Sequence, residues 1–321
     1  MKKNLCLCAF AFFALCGCSG VEEAPRPATL FIHVTGIGED MAGTRVLSQD
    51  SGNEYRVKNL QVLVFSTGGQ LDGYARSDNS SAAVKCVSGD KRVKVLVNAP
   101  DLSGVKNLSE LSQFVFRLSD NTPASLLMAG EKSVRVEGNS YSEIDVERIC
   151  AKVMVNKLTK GFSSAVLQGK TLTIDRMYIT NVCGQASLSS SFTPSDWLNK
   201  MGYSGDCDNL LCDNVGKTLS STLTESHTFY VYPNSVLSDT RGGSWQARYS
   251  RLVIESTLDG QKQYYVIDIP GIEGNHSYIF SEIVFTRRGG DDEESVPAES
   301  NVSFSCSVAP WQSKSPYTEN L

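Results

Sequence analysis

Three histidines in 321 residues leave little from which to build a metal centre or a general base. His33, His227 and His276 stand far apart, and none has a second His or an acid at ligand spacing. Gly-x-Ser-x-Gly, a phosphate-cradling glycine loop and His-Glu-x-x-His are all missing, so no nucleophile–base pair marks a hydrolase. The sequence therefore assigns no catalytic residue, no metal and no cofactor. Basic charge is short too. With no cluster longer than Arg287-Arg288 and a formal charge of −5, the chain lacks the cationic footprint that nucleic acid requires. Helical periodicity is confined to two brief stretches, 108–116 and 195–201. Composition nevertheless allows a real core: 41% of residues are hydrophobic and 20% charged.

The most informative residue is Cys18. It closes Leu15-Cys16-Gly17-Cys18, behind Lys2, Lys3 and an apolar run from Leu5 to Leu15. That run is shorter than the roughly 18 residues a membrane span needs, and its basic start and small residue before the cut mark a secretory signal. The ending resembles a bacterial lipobox, which implies a signal peptide over 1–17 and a lipid on the Cys18 thiol. An ordinary secretory signal with a chance Cys is the plain alternative. Loss of Lys2 and Lys3 with the signal takes the formal charge from −5 to −7. Residues 18–28 are polar and Pro-containing, as a tether would be. The order Cys18-Ser19-x-x-Glu22-Glu23 resembles the short acidic signal of lipoproteins sent to the outer face of the outer membrane.

Six cysteines remain beyond the signal: Cys86, Cys150, Cys183, Cys207, Cys212 and Cys306. Their spacing is too irregular for zinc. Cys207 and Cys212 are a candidate disulfide pair; the alternative is that these thiols are small buried hydrophobes, the reading preferred for Cys150 and Cys306 inside strand patterns.

After the tether the chain reads as β. Leu30, Ile32 and Val34 alternate with polar or outward residues. Strand patterns follow over 57–65, 92–97, 134–136 and 144–155, then 172–182, 228–232, 250–255, 264–269, 278–286 and 302–308. Turn chemistry sits at Thr67-Gly-Gly, Asp259-Gly260 and Arg288-Gly-Gly-Asp. Many strands without regular helix alternation predict sandwiches, with a boundary near 150–170 and Lys157 to Gly169 as the joint, giving an N-terminal domain over 29–156 and a C-terminal one over 157–321. Asp206, Asp208, Asp213 and Asn214 fail the calcium-loop spacing and read as a solvated loop. Asp291-Asp-Glu-Glu294 reads as an acidic hairpin tip that keeps a surface turn soluble.

Two features carry a mechanism. Thr44-Arg45-Val46 lies in a Gly- and Asp-containing stretch, 36–51, where an Arg-specific protease could cut between Arg45 and Val46. The last strand alternates Val302, Phe304, Cys306 and Val308 with three serines before Pro310-Trp311. It could complete the chain's own sheet or serve as a donor strand to a neighbour's.

These pieces, taken in order, resemble the fimbrillin family, the type V pilus subunits of Bacteroidales. They are the lipobox; a first strand followed by Gly-Thr-Arg45; Val57-Lys-Asn-Leu-Gln-Val-Leu-Val-Phe-Ser with a Gly-Gly turn; Glu147-Arg-Ile-Cys-Ala-Lys-Val; Phe229-Tyr-Val-Tyr-Pro-Asn; Tyr264-Tyr-Val-Ile-Asp-Ile; Gly274-Asn-His-Ser-Tyr278; and a terminal strand closing with Trp311. The resemblance implies two β-sandwich domains of transthyretin-like topology. It also implies a non-enzymatic subunit exported as an outer-membrane lipoprotein at the cell surface, with other fimbrial subunits and an Arg-specific processing protease as partners. Cleavage after Arg45 would release Cys18 to Arg45 with the lipid and the strand bearing Leu30, Ile32 and Val34. A C-terminal strand of another subunit would refill the groove, and the product would belong to a fimbrium. Only ten residues follow Trp311, so a tip or accessory role stands beside a stalk role. The competing reading is a monomeric surface lipoprotein that binds glycans for nutrient uptake through exposed aromatics, with Trp197, Tyr203 and Trp245 as candidates.

Overall fold

The computed structural model describes residues 24–36, 54–200, 202, 210–239, 244–294 and 301–311. In chain order its principal strands begin with β1 (Pro27–Thr35), β2 (Leu60–Ser66), β3 (Leu71–Ser77), β4 (Ser81–Val87), β5 (Gly89–Val97), β6 (Met128–Val136) and β7 (Asn139–Asp145). Then come β8 (Ala151–Val155), β9 (Leu158–Lys160), β10 (Leu172–Thr180), β11 (Cys212–Leu219), β12 (His227–Val231), β13 (Ser250–Leu258), β14 (Gln261–Ile269), β15 (His276–Phe285) and β16 (Val302–Pro310). The fold is all-β, as expected. Among the described residues helix is limited to α1 (Leu108–Gln113), α2 (Ala165–Gln168) and one short 3-10 turn.

The first sandwich packs a three-stranded sheet, β4-β1-β7, on β3-β2-β5-β6. Ala28, Leu30, Ile32 and Val34 meet Leu60, Val62, Val64, Val84, Val93, Val95 and Ile144 in a closed core. β2 is buried along almost its whole length, because Leu63 and Phe65 point the other way. There they join Leu102, Val105, Leu111 and Phe116 in the large core that continues into the second sandwich. Gln61 survives inside this strand because its side chain is fully employed: Nε2 donates to Ala99 O (3.1 Å) and Pro100 O (2.8 Å), and Oε1 accepts from Tyr74 and from Leu102 N.

The chain crosses to the second sandwich at Cys150. β8 and β9 run parallel to β15 at one constant offset, Lys152 beside Ser277 and Leu158 beside Ile283. They therefore share one flank of β15, while β16 takes the other in antiparallel pairing. β12 borders β8. The facing sheet is β11-β10-β13-β14. Its outer side carries a smaller cluster of Tyr178, Cys212, Val253 and Val266.

Three sequence expectations are corrected. The expected helix over 195–201 is not formed in its described part, 195–200: Trp197–Leu198 pair with Val182–Cys183 as a two-residue ladder, and Asn199 takes a positive φ of 50°, which ends any regular repeat. The 144–155 pattern is not one strand, since it breaks between Asp145 and Ala151 where the chain changes sheets. β3, β4 and β11 escaped detection because their exposed faces are polar or small and their apolar positions few.

Gly130 in β6 marks where the two sheets of the first sandwich close on each other. A Cβ there would stand 2.3 Å from Asp145 O, closer than any real contact. Gly130→Ala is expected to lower stability by about 1–3 kcal/mol through forced backbone movement, measured as a shift in the urea midpoint at unchanged slope.

Candidate assembly site: the first strand, its groove and the last strand

β1 is the middle strand of its sheet. It pairs antiparallel with β4 from Pro27–Val87 to His33–Ser81 and parallel with β7 from Thr29–Asn139 to Thr35–Asp145. Every second side chain enters the core: Leu30 is 0% exposed, Ile32 2% and Val34 3%. Each such burial is worth roughly 1.5–3 kcal/mol. The strand's end is set by Val146 N donating to Thr35 O (3.0 Å), by Thr35 Oγ1 donating to Asp145, and by Gly36 at φ 83°. A Cβ at Gly36 would lie 2.8 Å from Val146 O, so only glycine turns the chain away there. On the outer face Phe31 stacks on Tyr141 (4.7 Å, 13°) and His33 Nδ1 meets Ser81 Oγ at 2.9 Å.

β16 is the opposite case. Its alternation is as expected: Val302, Phe304, Cys306 and Val308 lie across from Phe285, Ile283, Phe280 and Tyr278, all buried. Antiparallel partners project to one face, so these four residues point to the core side of the sheet. Yet Phe304 is 44% and Val308 55% exposed, and Cys306 is exposed as well. The facing sheet does not reach over the strand. This overturns the expectation that Cys306 is a buried hydrophobe, whereas Cys150 is buried as expected and burial pushes its thiol up to about 12. The Cys183 thiol is pushed up to about 12 for the same reason, so neither thiol is a nucleophile at neutral pH.

Where β16 ends, Trp311 is buried at 4% exposure. Its backbone N donates to Asn275 O (2.7 Å). The Arg148 guanidinium lies 4.4 Å from its ring centroid and the Lys152 ammonium 4.6 Å, with the Tyr230 ring 5.9 Å away and nearly parallel. Arg148 also sits 4.6 Å over Tyr55, and Lys152 pairs with the buried Glu54 carboxylate at 3.0 Å. Tyr230 OH donates to the same carboxylate. Charges inside an apolar strand pattern, Arg148 and Lys152, were the visible signal for this cluster, but nothing in the sequence names Glu54 and Trp311 as their partners.

The remaining candidates are dispersed. Cys18, Arg45, Val46, Cys207 and Tyr203 lie outside the described residues. Cys212 is disulfide-bonded. Trp197 is buried and tilts against the half-buried Trp245 at 5.5 Å, so these two rings form packing rather than an exposed sugar platform. Asp291 to Glu294 is more than a soluble tip: Glu294 pairs with Arg248 at 2.9 Å and approaches the fully buried Arg251 at 3.7 Å, while Glu293 accepts from Tyr178. The histidines are structural. His276 Nδ1 meets Gly274 O, and His227 Nδ1 lies 2.7 Å from Asp213 Oδ2. Among the described residues no three His, Cys, Asp or Glu side chains cluster for a metal, and no helix is long and apolar enough to cross a membrane.

The described residues thus form two all-β sandwiches, one closed by an N-terminal strand and the other carrying an uncovered C-terminal strand. The family described as "Major fimbrial subunit protein (FimA)" matches residues 28–176, which begin in β1 and take in the whole first sandwich. Over that stretch, somewhat less than half of its length, the chain is similar to this fimbrial subunit family. Solved structures share the fold over nearly the whole chain. The fimbrilin FimA of Porphyromonas gingivalis W83 has a TM-score of 0.63 at 15% identity, covering 89% of this chain and 98% of that one. A protein of Bacteroides eggerthii described as a candidate cell adhesion protein has 0.64 at 19%, covering 88% and 96%. The tip fimbrial protein Mfa3 of Porphyromonas gingivalis has 0.56 at 13%, covering 89% and 100%. No curated protein matches by sequence.

The contrast between the two strands is measurable. Leu30→Ala is expected to cost about 2–5 kcal/mol, whereas Val308→Ser should stay within about 0.5 kcal/mol of wild type, both by urea denaturation. Asp213 gives a pH effect. Its hydrogen bond from His227 holds the carboxyl below the usual Asp range, so its contribution is present above the unfolded-state pKa and lost as pH falls through the lowered folded one. Asp213→Asn should therefore flatten the acid limb of stability against pH, with the difference from wild type vanishing in strong acid.

Proposed function

We propose that the chain is a pilus subunit assembled by strand exchange after proteolytic loss of its first strand. The precursor carries a lipid on Cys18 and sits on the outer membrane at the cell surface. An Arg-specific protease cuts between Arg45 and Val46, and the segment from Cys18 to Arg45 leaves with the lipid and β1. The vacated groove then exposes Val84, Ile144 and their neighbours together with the unpaired edges of β4 and β7, which is costly until a strand refills it. The observation that carries this reading is the matched pair of strands: β1 has its apolar face fully buried, and β16 offers a similar period-two apolar face that its own fold leaves uncovered. β16 of another copy is the proposed donor, in the strand-addition mode by which extended segments complete open sheets. A tip or accessory role is the second reading. It is favoured by the pairing of β16 with β15 from Phe285–Val302 to His276–Pro310, interrupted only by a bulge between Phe280 and Glu282, which donation would have to break.

The test is limited trypsin digestion of the chain lacking residues 1–18, followed by mass spectrometry and size-exclusion chromatography, with Arg45→Ala as control. Cleavage after Arg45 followed by higher-order species, both abolished by the substitution, is the expected result. Cleavage that leaves a stable monomer would move the assignment to a tip subunit. Resistance at Arg45 would remove the processing step and with it the mechanism.

A further inference from the structure

Between Val302 and Trp311 every residue of β16 is exposed. The strand is held along one flank by its ladder with β15 and pinned by side-chain burial only at its ends. Val302, at 8% exposure, abuts the core; Trp311, at 4%, is the larger anchor. We propose that Trp311 is a latch that keeps β16 in its home sheet, and that the latch is set by Glu54 and Tyr55, which follow Arg45 in the sequence. The proposal rests on the strand-exchange reading and adds to it a coupling between cutting and donor release.

The coupling follows from shared partners. Each of the three side chains that hold the Trp311 ring is also held by residues 54–55. Arg148 is sandwiched between Trp311 (4.4 Å) and Tyr55 (4.6 Å), and its Nη2 donates to Glu54 O at 3.4 Å. Lys152 lies 4.6 Å from the Trp311 ring and 3.0 Å from Glu54 Oε2. Tyr230 flanks the Trp311 ring and donates to Glu54 Oε1. Two cations packed on one ring in a buried site need a buried anion, and Glu54 supplies it. If Glu54 leaves, Arg148 and Lys152 remain desolvated without that counter-charge, which is strongly unfavourable, and the cage around Trp311 opens to regain water.

Residue 54 follows Arg45 by nine positions in sequence. In the uncut chain this segment is tied at both ends, to β1 through Gly36 and to β2 through Leu60. A cut after Arg45 and loss of β1 turn it into a free N-terminal arm, which gains the chain entropy that the tether denied it. The closed latch is also imperfect. The Nε–H groups of Arg148 and Trp311 are buried without a hydrogen-bond partner in the protein, a cost that opening relieves. A device with these properties keeps a donor strand at home in the precursor and frees it once processing has occurred.

Hydrogen–deuterium exchange read by mass spectrometry tests the latch in the chain lacking residues 1–18. Tyr55→Ala and Arg148→Lys, the second keeping the charge but losing the flat stacking surface, are each expected to speed exchange over 302–310 about tenfold. Exchange over 81–87 and 139–145, which flank β1, should stay at the wild-type rate. Wild-type protein cut after Arg45 should show the same acceleration over 302–310. A wild-type rate over 302–310 in uncut Tyr55→Ala, or acceleration of equal size in all three segments of either uncut variant, would overturn the proposal. Adding a synthetic peptide of residues 302–310 to the cut protein separates the two ideas. If no peptide is retained on size-exclusion chromatography, the strand-exchange reading fails whatever the exchange rates show. If the peptide is retained while 302–310 exchanges alike in all variants, only the latch fails.

Discussion

The backbone groups of β4 and β7 have to be paired by a strand between them, and in this chain that strand is β1. Its removal does more than unpair one strand, because β1 joins an antiparallel neighbour to a parallel one and so holds the three-stranded sheet together. It also brings Leu30, Ile32 and Val34 across to the β2–β5 sheet. An unpaired edge facing an apolar cleft cannot be satisfied by water without wetting the core. The groove therefore has one chemically good occupant: an extended segment with small or medium apolar side chains at every second position. The proposed processing and strand exchange both answer to that constraint, and the uncovered face of β16 has the alternation it calls for.

The second sandwich solves a different problem. Its outer face carries charge that a solvent-facing sheet would leave dispersed, yet Arg251 is fully buried between Asp239, Asp268 and Glu294, and the acidic run 291–294 folds back to reach Arg248 and Tyr178. Pairing of this kind is weak as a source of stability but specific in geometry. It fixes the β14–β15 side of the sandwich, beside which β16 lies. At the junction of the sandwiches the same chemistry recurs with Glu54, Arg148 and Lys152, here interleaved with Tyr55, Tyr230 and Trp311. Rings between cations keep those charges dry, which suits the latch proposed for Trp311.

Much of the fold was legible because alternation is a local property. Leu30, Ile32 and Val34 read as an inward face and are one; β13, β14 and β15 were found near their true bounds. The failures were local too. Trp197 lies in a run that looks helical by spacing, but a buried ring on a two-residue ladder decides its backbone. β4 and β11 are strands whose side chains, alanine, serine, lysine and threonine among them, give no period strong enough to see. The acidic tip at 291–294 reads as solvated because the arginines that neutralise it lie more than forty residues earlier in the chain.

The sequence by itself determined the class of architecture and the paired apolar faces of the first and last strands, and it offered an export signal ending at Cys18 and a processing candidate at Arg45 as expectations. Each of these depends on residues within a few positions of one another. Only the tertiary structure decided that β1 is flanked on both sides while β16 is flanked on one, and that Cys306 and Val308 face the core side without being covered. It also decided that Trp311 meets Glu54 and Tyr55 through Arg148 and Lys152. Those are questions of which distant strand lies beside which. Side-chain periodicity records the face a residue points to, but not whether anything stands opposite that face.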